Sequence, residues 1–547
     1  MRRLAAAVSV PAAAVLGLLA LVVFLSFRVH GAPYEEFTLA NYAALLADPA
    51  VWDVVLSTVV YLAVTLVVAL VLGTALAVLV ERTDFGHSRL INTAMMIRVL
   101  IPGFFTAMGW IFLFHPRIGA VNQLLGTSLN ITSLAGMGLV EGLGLSALVF
   151  IMVSGSLRAL DGSLEEAARA NGAGPWTVLR LVTLPLIRPG LMGAALFTAT
   201  IALSALDIPL IMGLSSRVYV FSSYLYVAAN PTDNVVEHGI PAAFSVVMIL
   251  VAVGLSAWYT RTLKAGRKYQ VVTGKGYRPV TIALGRWRWA AWLLVGGYFA
   301  WSTVLPMVMV LWVSLLPYVR VPSMQALQEV SLANYTGLDW DLVLRGLRTS
   351  LALVVLVPTL AVLLSLAFSF VVVRSRLRRR YLYDFVAFLP QAVPHTIFAF
   401  AAVVASLYLA QGLYGTLALL VVVMTLMHVS FGTRMFNAGL LQIHTELEEA
   451  AAMSGAATWE AVRRVTLPLL KPVATYTWLW LALLSLRDLT VPGLVGGQDT
   501  VTLSVASWTL YNTAQVGASS ALTLLTIVFM APLVGLFLAL NKREVTV

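Results

Sequence analysis

Cysteine is absent from this 547-residue chain, and charge is scarce: 11% of residues are Asp, Glu, Lys or Arg, against 60% apolar. The first absence excludes a disulfide framework, a thiolate metal site and a cysteine nucleophile. The second excludes an ordinary soluble protein, because a globular domain needs roughly 25% charged residues to cover its surface. A mean hydropathy of +0.91 makes the missing solvent a bilayer. No Gly-x-x-x-x-Gly-Lys-Ser/Thr loop occurs, and Gly274-Lys275-Gly276 lacks both its spacing and its hydroxyl, so the chain cannot cradle nucleotide phosphates itself. His30, His87, His115, His238, His395, His428 and His444 are scattered without paired helical spacing, and no local carboxylate cluster accompanies them. A bound metal is therefore not expected, and no catalytic dyad is visible.

What is present is a series of long apolar runs. About 20 mostly apolar residues span the hydrocarbon as a helix, and twelve stretches qualify: 4–27, 54–80, 91–114, 139–157, 189–210, 240–259, 289–315, 350–373, 385–409, 413–429, 469–489 and 521–540. The first follows Met1-Arg2-Arg3 and is too long for a cleaved signal core, so it reads as a retained span. With both termini placed in the cytoplasm, all but seven of the 35 Lys and Arg residues fall on the cytoplasmic side; the exceptions are Arg28, Arg117, Arg217, Arg320, Arg345, Arg348 and Arg487. That is the positive-inside bias. The net charge of +11 is then topological and no nucleic-acid partner is implied.

The chain also repeats. Residues 165–190, EEAARANGAGPWTVLRLVTLPLIRPG, return at 448–473 as EEAAAMSGAATWEAVRRVTLPLLKPV, with 14 of 26 positions identical at an offset of 283. Leu39-Ala40-Asn41-Tyr42 returns as Leu332-Ala333-Asn334-Tyr335. The expected architecture is an all-α polytopic membrane protein of twelve transmembrane helices in two parallel six-span halves, 1–262 and 289–547. A basic linker, 263–288, joins them. A parallel repeat has its symmetry axis along the membrane normal, and a solute path would run between the halves.

Each repeated segment lies in the loop between the fourth and fifth spans. Leu164 to Ala170 forms a short helix whose initial acids suit the helix dipole, and Ala167 and Ala168 leave a surface that another backbone can approach. Gly172 permits a sharp turn, Trp176, Val178, Leu179 and Val182 supply an apolar face, and Pro185 and Pro189 reset the chain direction. Glu449, Ala450, Ala451, Gly455, Trp459, Val462, Val465, Pro468 and Pro472 repeat these devices. One amphipathic loop helix could merely lie on a membrane. Two copies that keep their spacing while the intervening residues drift imply two equivalent sockets, and hence a partner present twice.

These residues resemble the EAA signature of permease subunits in binding-protein-dependent ABC importers: Glu166-Ala167-Ala168, Gly172 and Leu184-Pro185, then Glu449-Ala450-Ala451, Gly455 and Leu467-Pro468. The fused arrangement is similar to ferric-iron permeases, with thiamine and polyamine relatives. Pro102 to Trp110 and Pro116 to Gly119 also resemble the third span of the iron-type members. The resemblance implies a type I importer fold in a bacterial inner membrane, with two copies of a cytoplasmic ATPase that carry ATP and magnesium on that partner. It implies no cofactor and no enzyme activity in this chain. A periplasmic solute-binding protein would dock on outer loops 28–52, 115–138 and 316–349. The coupling set includes Glu165 and Glu448 with the residues just named, and ferric iron is the expected cargo, with thiamine, polyamine or phosphonate as alternatives.

Asp207 and Asp488 recur near the outer end of the fifth span of each half. Ionisable groups in a span are functional candidates, so these two are candidates for the translocation path; interfacial capping, or for Asp488 pairing with Arg487, is the competing explanation. A rival class is the major-facilitator type of secondary transporter, which also has twelve spans in parallel halves. Its Gly-x-x-x-Asp-Arg loop is not matched by Val80-Glu81-Arg82-Thr83-Asp84-Phe85-Gly86 or by 373–380, and it has no use for the duplicated loop.

Overall fold

The computed structural model describes residues 2–160, 162–230, 237–266 and 281–544. Of the expected basic linker, residues 267–280 lie outside the described residues. Hydrocarbon offers the backbone no hydrogen-bond partner, so apolar runs fold as helices, and all the regular structure among the described residues is helical. The first half runs α1 (Arg2–Ser26), α2 (Pro49–Arg82), α3 (Ser88–Leu100), α4 (Gly103–Phe114), α5 (Leu134–Arg158), the short α6 (Ser163–Ala170), α7 (Arg188–Ser204) and α8 (Gly239–Gly266). The second runs α9 (Gly285–Ser314), α10 (Trp340–Arg374), α11 (Arg380–Ala392), α12 (His395–Leu409), α13 (Leu417–Gln442), α14 (Thr445–Met453), α15 (Leu467–Arg487) and α16 (Val516–Glu544).

All twelve apolar stretches recur, but not as twelve rods. Eight helices are long and apolar enough to cross a membrane, three further units are bent pairs, and Gly239–Leu255 is a shorter apolar helix. The expected rods 91–114 and 385–409 are replaced by α3 and α4 meeting at 93° and by α11 and α12 meeting at 99°. The cause is an X-Pro step at the same place in each half. Pro102 and Pro394 hold the preceding Ile101 and Val393 in extended conformations, with ψ of 127° and 138°.

The fifth spans differ as well. Pro175–Leu186 and α7 meet at 64°, whereas Trp459–Arg487 is unbroken. Pro189 falls in the first turn of α7, where a missing N–H costs nothing. Pro472, expected to reset the chain in the same way, instead lies inside α15. The adjacent packing is swapped in size: a Cβ on Gly190 would stand 2.2 Å from Ser156 Oγ, whereas at the equivalent positions Val473 is the large partner and Gly439 the small one.

The Leu-Ala-Asn-Tyr echo is a joint that closes the first span of each half. Asn41 Nδ2 donates to the carbonyls of Ser26 and Arg28 at 3.0 and 2.7 Å, and Asn334 Nδ2 to those of Ser314 and Leu316 at the same two distances. Tyr42 and Tyr335 pair their hydroxyls with Ser26 and Ser314.

The halves interlock. α1 packs on α8 but also on α11 and α12, while α9 packs on α4 and α16. Val8, Val15 and Leu25 share one core with Phe398, Val403 and Val423, and Tyr298, Met309 and Val313 share another with Phe105, Trp110 and Phe112. The centre belongs to α5 and α13, which bury 67% and 61% of their most apolar stretches, more than any other unbroken span.

Close helix approach in hydrocarbon relies on small residues, and α2 meets α5 across Gly73, Gly138 and Gly142. A Cβ on Gly142 would lie 2.7 Å from Val68 Cβ and 2.9 Å from the Thr65 carbonyl oxygen. Gly142→Val should cost about 1–3 kcal/mol by overpacking and lower the thermal transition of detergent-purified protein. Gly17→Ala, with nothing within 4 Å of the added atom, should leave it unchanged.

Candidate functional site

In each repeated loop two adjacent glutamates diverge, because successive helical residues point about 100° apart. Glu165 is 2% exposed and turns inward, where its Oε1 lies 3.1 Å from Nε of the equally buried Arg82 and accepts from Thr183 Oγ1 at 2.7 Å. Arg82 Nη2 donates to the Leu157 carbonyl at 2.9 Å. One carboxylate thereby ties α6 to the ends of α2 and α5 and to the segment leading into α7. The second copy repeats the arrangement: Glu448 Oε1 lies 3.2 Å from Arg374 Nε and accepts from Thr466 Oγ1 at 2.9 Å, while Arg374 Nη2 donates to the carbonyls of Leu440 and Ile443. This joint is more open, with Arg374 and Glu448 side chains 10% and 23% exposed.

The turn after each loop helix is also duplicated. Gly172 and Gly455 adopt left-handed φ of +83° and +87°. Ala173 N–H bonds the Ala168 carbonyl and Ala456 N–H that of Ala451, at 3.0 and 3.1 Å. This is the Schellman cap, which requires a residue tolerant of positive φ at that place. Leu179–Thr183 and Val462–Thr466 then wind as single π-turns that end on the two threonines of the joints.

The candidate coupling residues accordingly separate into two groups. Glu166, Ala167, Gly172 and Pro185 are exposed and Ala168 and Leu184 half-buried; Glu449, Ala450, Gly455 and Pro468 are exposed and Ala451 and Leu467 half-buried. Leu164, Trp176, Leu447, Met453 and Trp459 add exposed apolar surface beside them. Glu165 and Glu448, expected in the same set, hold the loop from within. Sequence reading missed Arg82 and Arg374 as partners of the glutamates, and Thr183 and Thr466, whose signal was their identity within the repeat.

Asp207 and Asp488 stand just beyond the ends of α7 and α15 rather than inside them. The Asp207 carboxylate faces the backbone N–H groups of Gly103 and Phe104 at the start of α4, so close that a Cβ on Gly103 would be 2.9 Å from Oδ2. Asp488 Oδ1 accepts from Thr490 N–H at 2.8 Å. Arg487 Nη1 donates to the Val99 carbonyl near the end of α3, and Ser204 Oγ accepts from His395 N–H at the start of α12. Both of these bonds cross between the halves.

The model of the family "binding-protein-dependent transport system inner membrane component" matches residues 69–267 and 361–545. Among curated relatives, the Fe(3+)-transport system permease protein FbpB 2 of Haemophilus influenzae is 23% identical over 90% of this chain and 91% of its own length. The putative ferric transport system permease protein FbpB 1 of the same organism is 23% identical over 74% of this chain, and the chain spans 64% of that relative's length. The sulfoquinovosyl glycerol transport system permease protein SmoG of Agrobacterium fabrum is 28% identical over 48% of this chain and 91% of its own length.

Removing one partner of a buried ion pair costs about 3–5 kcal/mol because the other charge is left uncompensated, whereas an exposed pair is worth far less. Glu165→Gln should therefore lower the thermal transition of the purified protein more than Glu448→Gln does. Replacing Arg82 and Glu165 together by apolar residues should recover part of the loss.

Proposed function

The chain belongs to the family of binding-protein-dependent transport system inner membrane components, and on that premise we propose that it is the two-half permease of an ATP-driven ferric-iron importer. The observation that carries the coupling part is the pair of matching loops, each anchored from inside by one glutamate and presenting the next, Glu166 or Glu449, with exposed alanines and a left-handed glycine. Two copies of a cytoplasmic ATPase would each seat one loop. ATP and magnesium on those subunits draw them together and act as a ligand that shifts the permease between inward-open and outward-open populations.

The anchor converts this push into helix movement. Because Glu165 holds Arg82 and Thr183, and Arg82 holds the Leu157 carbonyl, displacing α6 moves the ends of α2 and α5 and the entry to α7 as one body. A solute-binding protein would deliver cargo to outer loops 28–52, 115–138 and 316–349. The membrane is the bacterial inner membrane with both termini cytoplasmic, a placement supported by the Lys and Arg bias. Asp207 and Asp488 would border the path. Ferric iron is supported by the two relatives named for it, one of them matched over nine-tenths of both chains. A sugar-like solute is the second reading, favoured by the relative named for sulfoquinovosyl glycerol.

Hydrogen bonds to charged groups are worth about 1.5–3 kcal/mol, so reversing the outward glutamates should weaken ATPase docking roughly tenfold or more. Glu166→Arg with Glu449→Arg, reconstituted with the copurified ATPase and binding protein, should lose stimulated ATP hydrolysis and radiolabelled ferric-iron uptake while remaining folded. Full uptake with no ATPase attached would overturn the proposal; ATP-driven uptake of a sugar but not of iron would overturn the cargo alone.

A further inference from the structure

The first half carries a membrane-buried polar cluster, Tyr61, Glu141 and Arg98, whose aligned positions in the second half are apolar. Glu141 lies on α5, and at the 283-residue offset its counterpart on α13 is Met424. Tyr61 on α2 and Arg98 on α3 are its electrostatic neighbours. An offset of 292 pairs Arg82 with Arg374 and Pro102 with Pro394, and it also pairs Thr58 with Ser350, whose hydroxyls accept from Phe221 and Leu503 N–H alike. By that offset Tyr61 and Arg98 correspond to Leu353 and Pro390. Three polar groups on one side therefore answer to three apolar ones on the other.

The surrounding charges are already committed to helix ends: Arg487 to the Val99 carbonyl, Asp207 to the start of α4, and Asp488 to Thr490 N–H. Glu141, Tyr61 and Arg98 have no such duty. Tyr61 is 1% and Arg98 4% exposed; Tyr61 Oη faces the Glu141 carboxylate, and Arg98 Nε has no hydrogen-bond partner among the described residues. Burying such a group without a partner is costly. Arg98 lies along α5, where a Cβ on Gly144 would be 3.1 Å from Nη2; its charge neighbours are Tyr298 and Arg487 of the second half and then Glu141, and no ion pair forms among them in the described residues. Asp207 and Arg487, the charges beside Glu141, and Asp488 beyond them are partly exposed.

We infer that Tyr61, Glu141 and Arg98, three residues of the first half whose aligned positions in the second are apolar, form a solute-binding station on the crossing path. It suits a solute or metal complex that brings its own oxygen groups, giving hydrogen bonds to Glu141 and taking them from Arg98 and Tyr61. A bare multivalent cation is disfavoured by Arg98 and Arg487, and no group of three His, Asp or Glu residues that could hold a metal ion exists among the described residues. This rests on the importer reading but not on its cargo.

The natural absence of cysteine makes the test direct. Tyr61→Cys, Glu141→Cys, Leu353→Cys and Met424→Cys, each in the full transporter in membrane vesicles, would be reacted with small cationic and anionic methanethiosulfonates. The first two should react about tenfold faster than the last two, a factor on the scale of local concentration by a polar cleft. At Tyr61→Cys, where every charge is intact, the two reagents should react at similar rates. Equal rates in both halves would overturn the one-sided station, and a cationic reagent faster by about tenfold or more at Tyr61→Cys would overturn the solute class. Tyr61→Phe, which keeps the ring, should reduce transport without reducing assembly with the ATPase; unchanged transport would also overturn it. Selective labelling supports the station even where ATP and vanadate leave it unchanged, an outcome that would overturn the importer reading alone.

Discussion

Inside hydrocarbon no water is available to satisfy a backbone N–H or carbonyl, and this protein breaks helices there. Pro102 and Pro394 each leave one helix C-terminus and one helix N-terminus within the bundle. A cation suits the first kind of end and an anion or hydroxyl the second. Arg487 answers the end of α3, the Asp207 carboxylate faces the start of α4, Ser204 caps the start of α12, and the His395 ring bonds the Pro390 carbonyl at the end of α11. Since Arg487 and Ser204 reach across from the opposite half, the breaks join the halves inside the bundle.

The duplicated Arg–Glu–Thr joints fix each loop to the bundle, because a carboxylate shared by a guanidinium and a hydroxyl makes loop and bundle one body. The two joints are chemically alike and energetically unequal. Arg82 and Glu165 are almost fully excluded from solvent, whereas Arg374 and Glu448 retain contact with it. The first half also bends by 64° just after its joint and the second does not. Together with the lopsided placing of Glu141, Tyr61 and Arg98, this makes the chain a duplication whose halves have diverged in structure.

Much of this was legible in the chain itself. Apolar run length located the eight long apolar helices, the three bent pairs and the shorter Gly239–Leu255, and the Ile101-Pro102 and Val393-Pro394 steps carried the signal of the two right-angle breaks, although run length alone reads straight through them. The repeat located both loops, their left-handed glycines and the Leu-Pro steps. Periodicity could not tell which of two consecutive glutamates turns inward, because that depends on where Arg82 arrives from a helix remote in sequence. Glu141 meets the same in-span criterion as Asp207 and Asp488 but has no acidic counterpart in the repeat, and its neighbours Tyr61 and Arg98 come from helices remote in sequence.

Sequence by itself determined the solvent, the helical class, the duplication and the loops that protrude, since hydropathy, spacing and repetition are properties of neighbours along the chain. Tertiary structure alone decided that α1 and α9 each pack against the opposite half, that Glu165 and Glu448 anchor rather than present, and that Tyr61, Glu141 and Arg98 of the first half come together. Those outcomes depend on which distant groups meet in a medium that leaves no polar atom a free choice of partner.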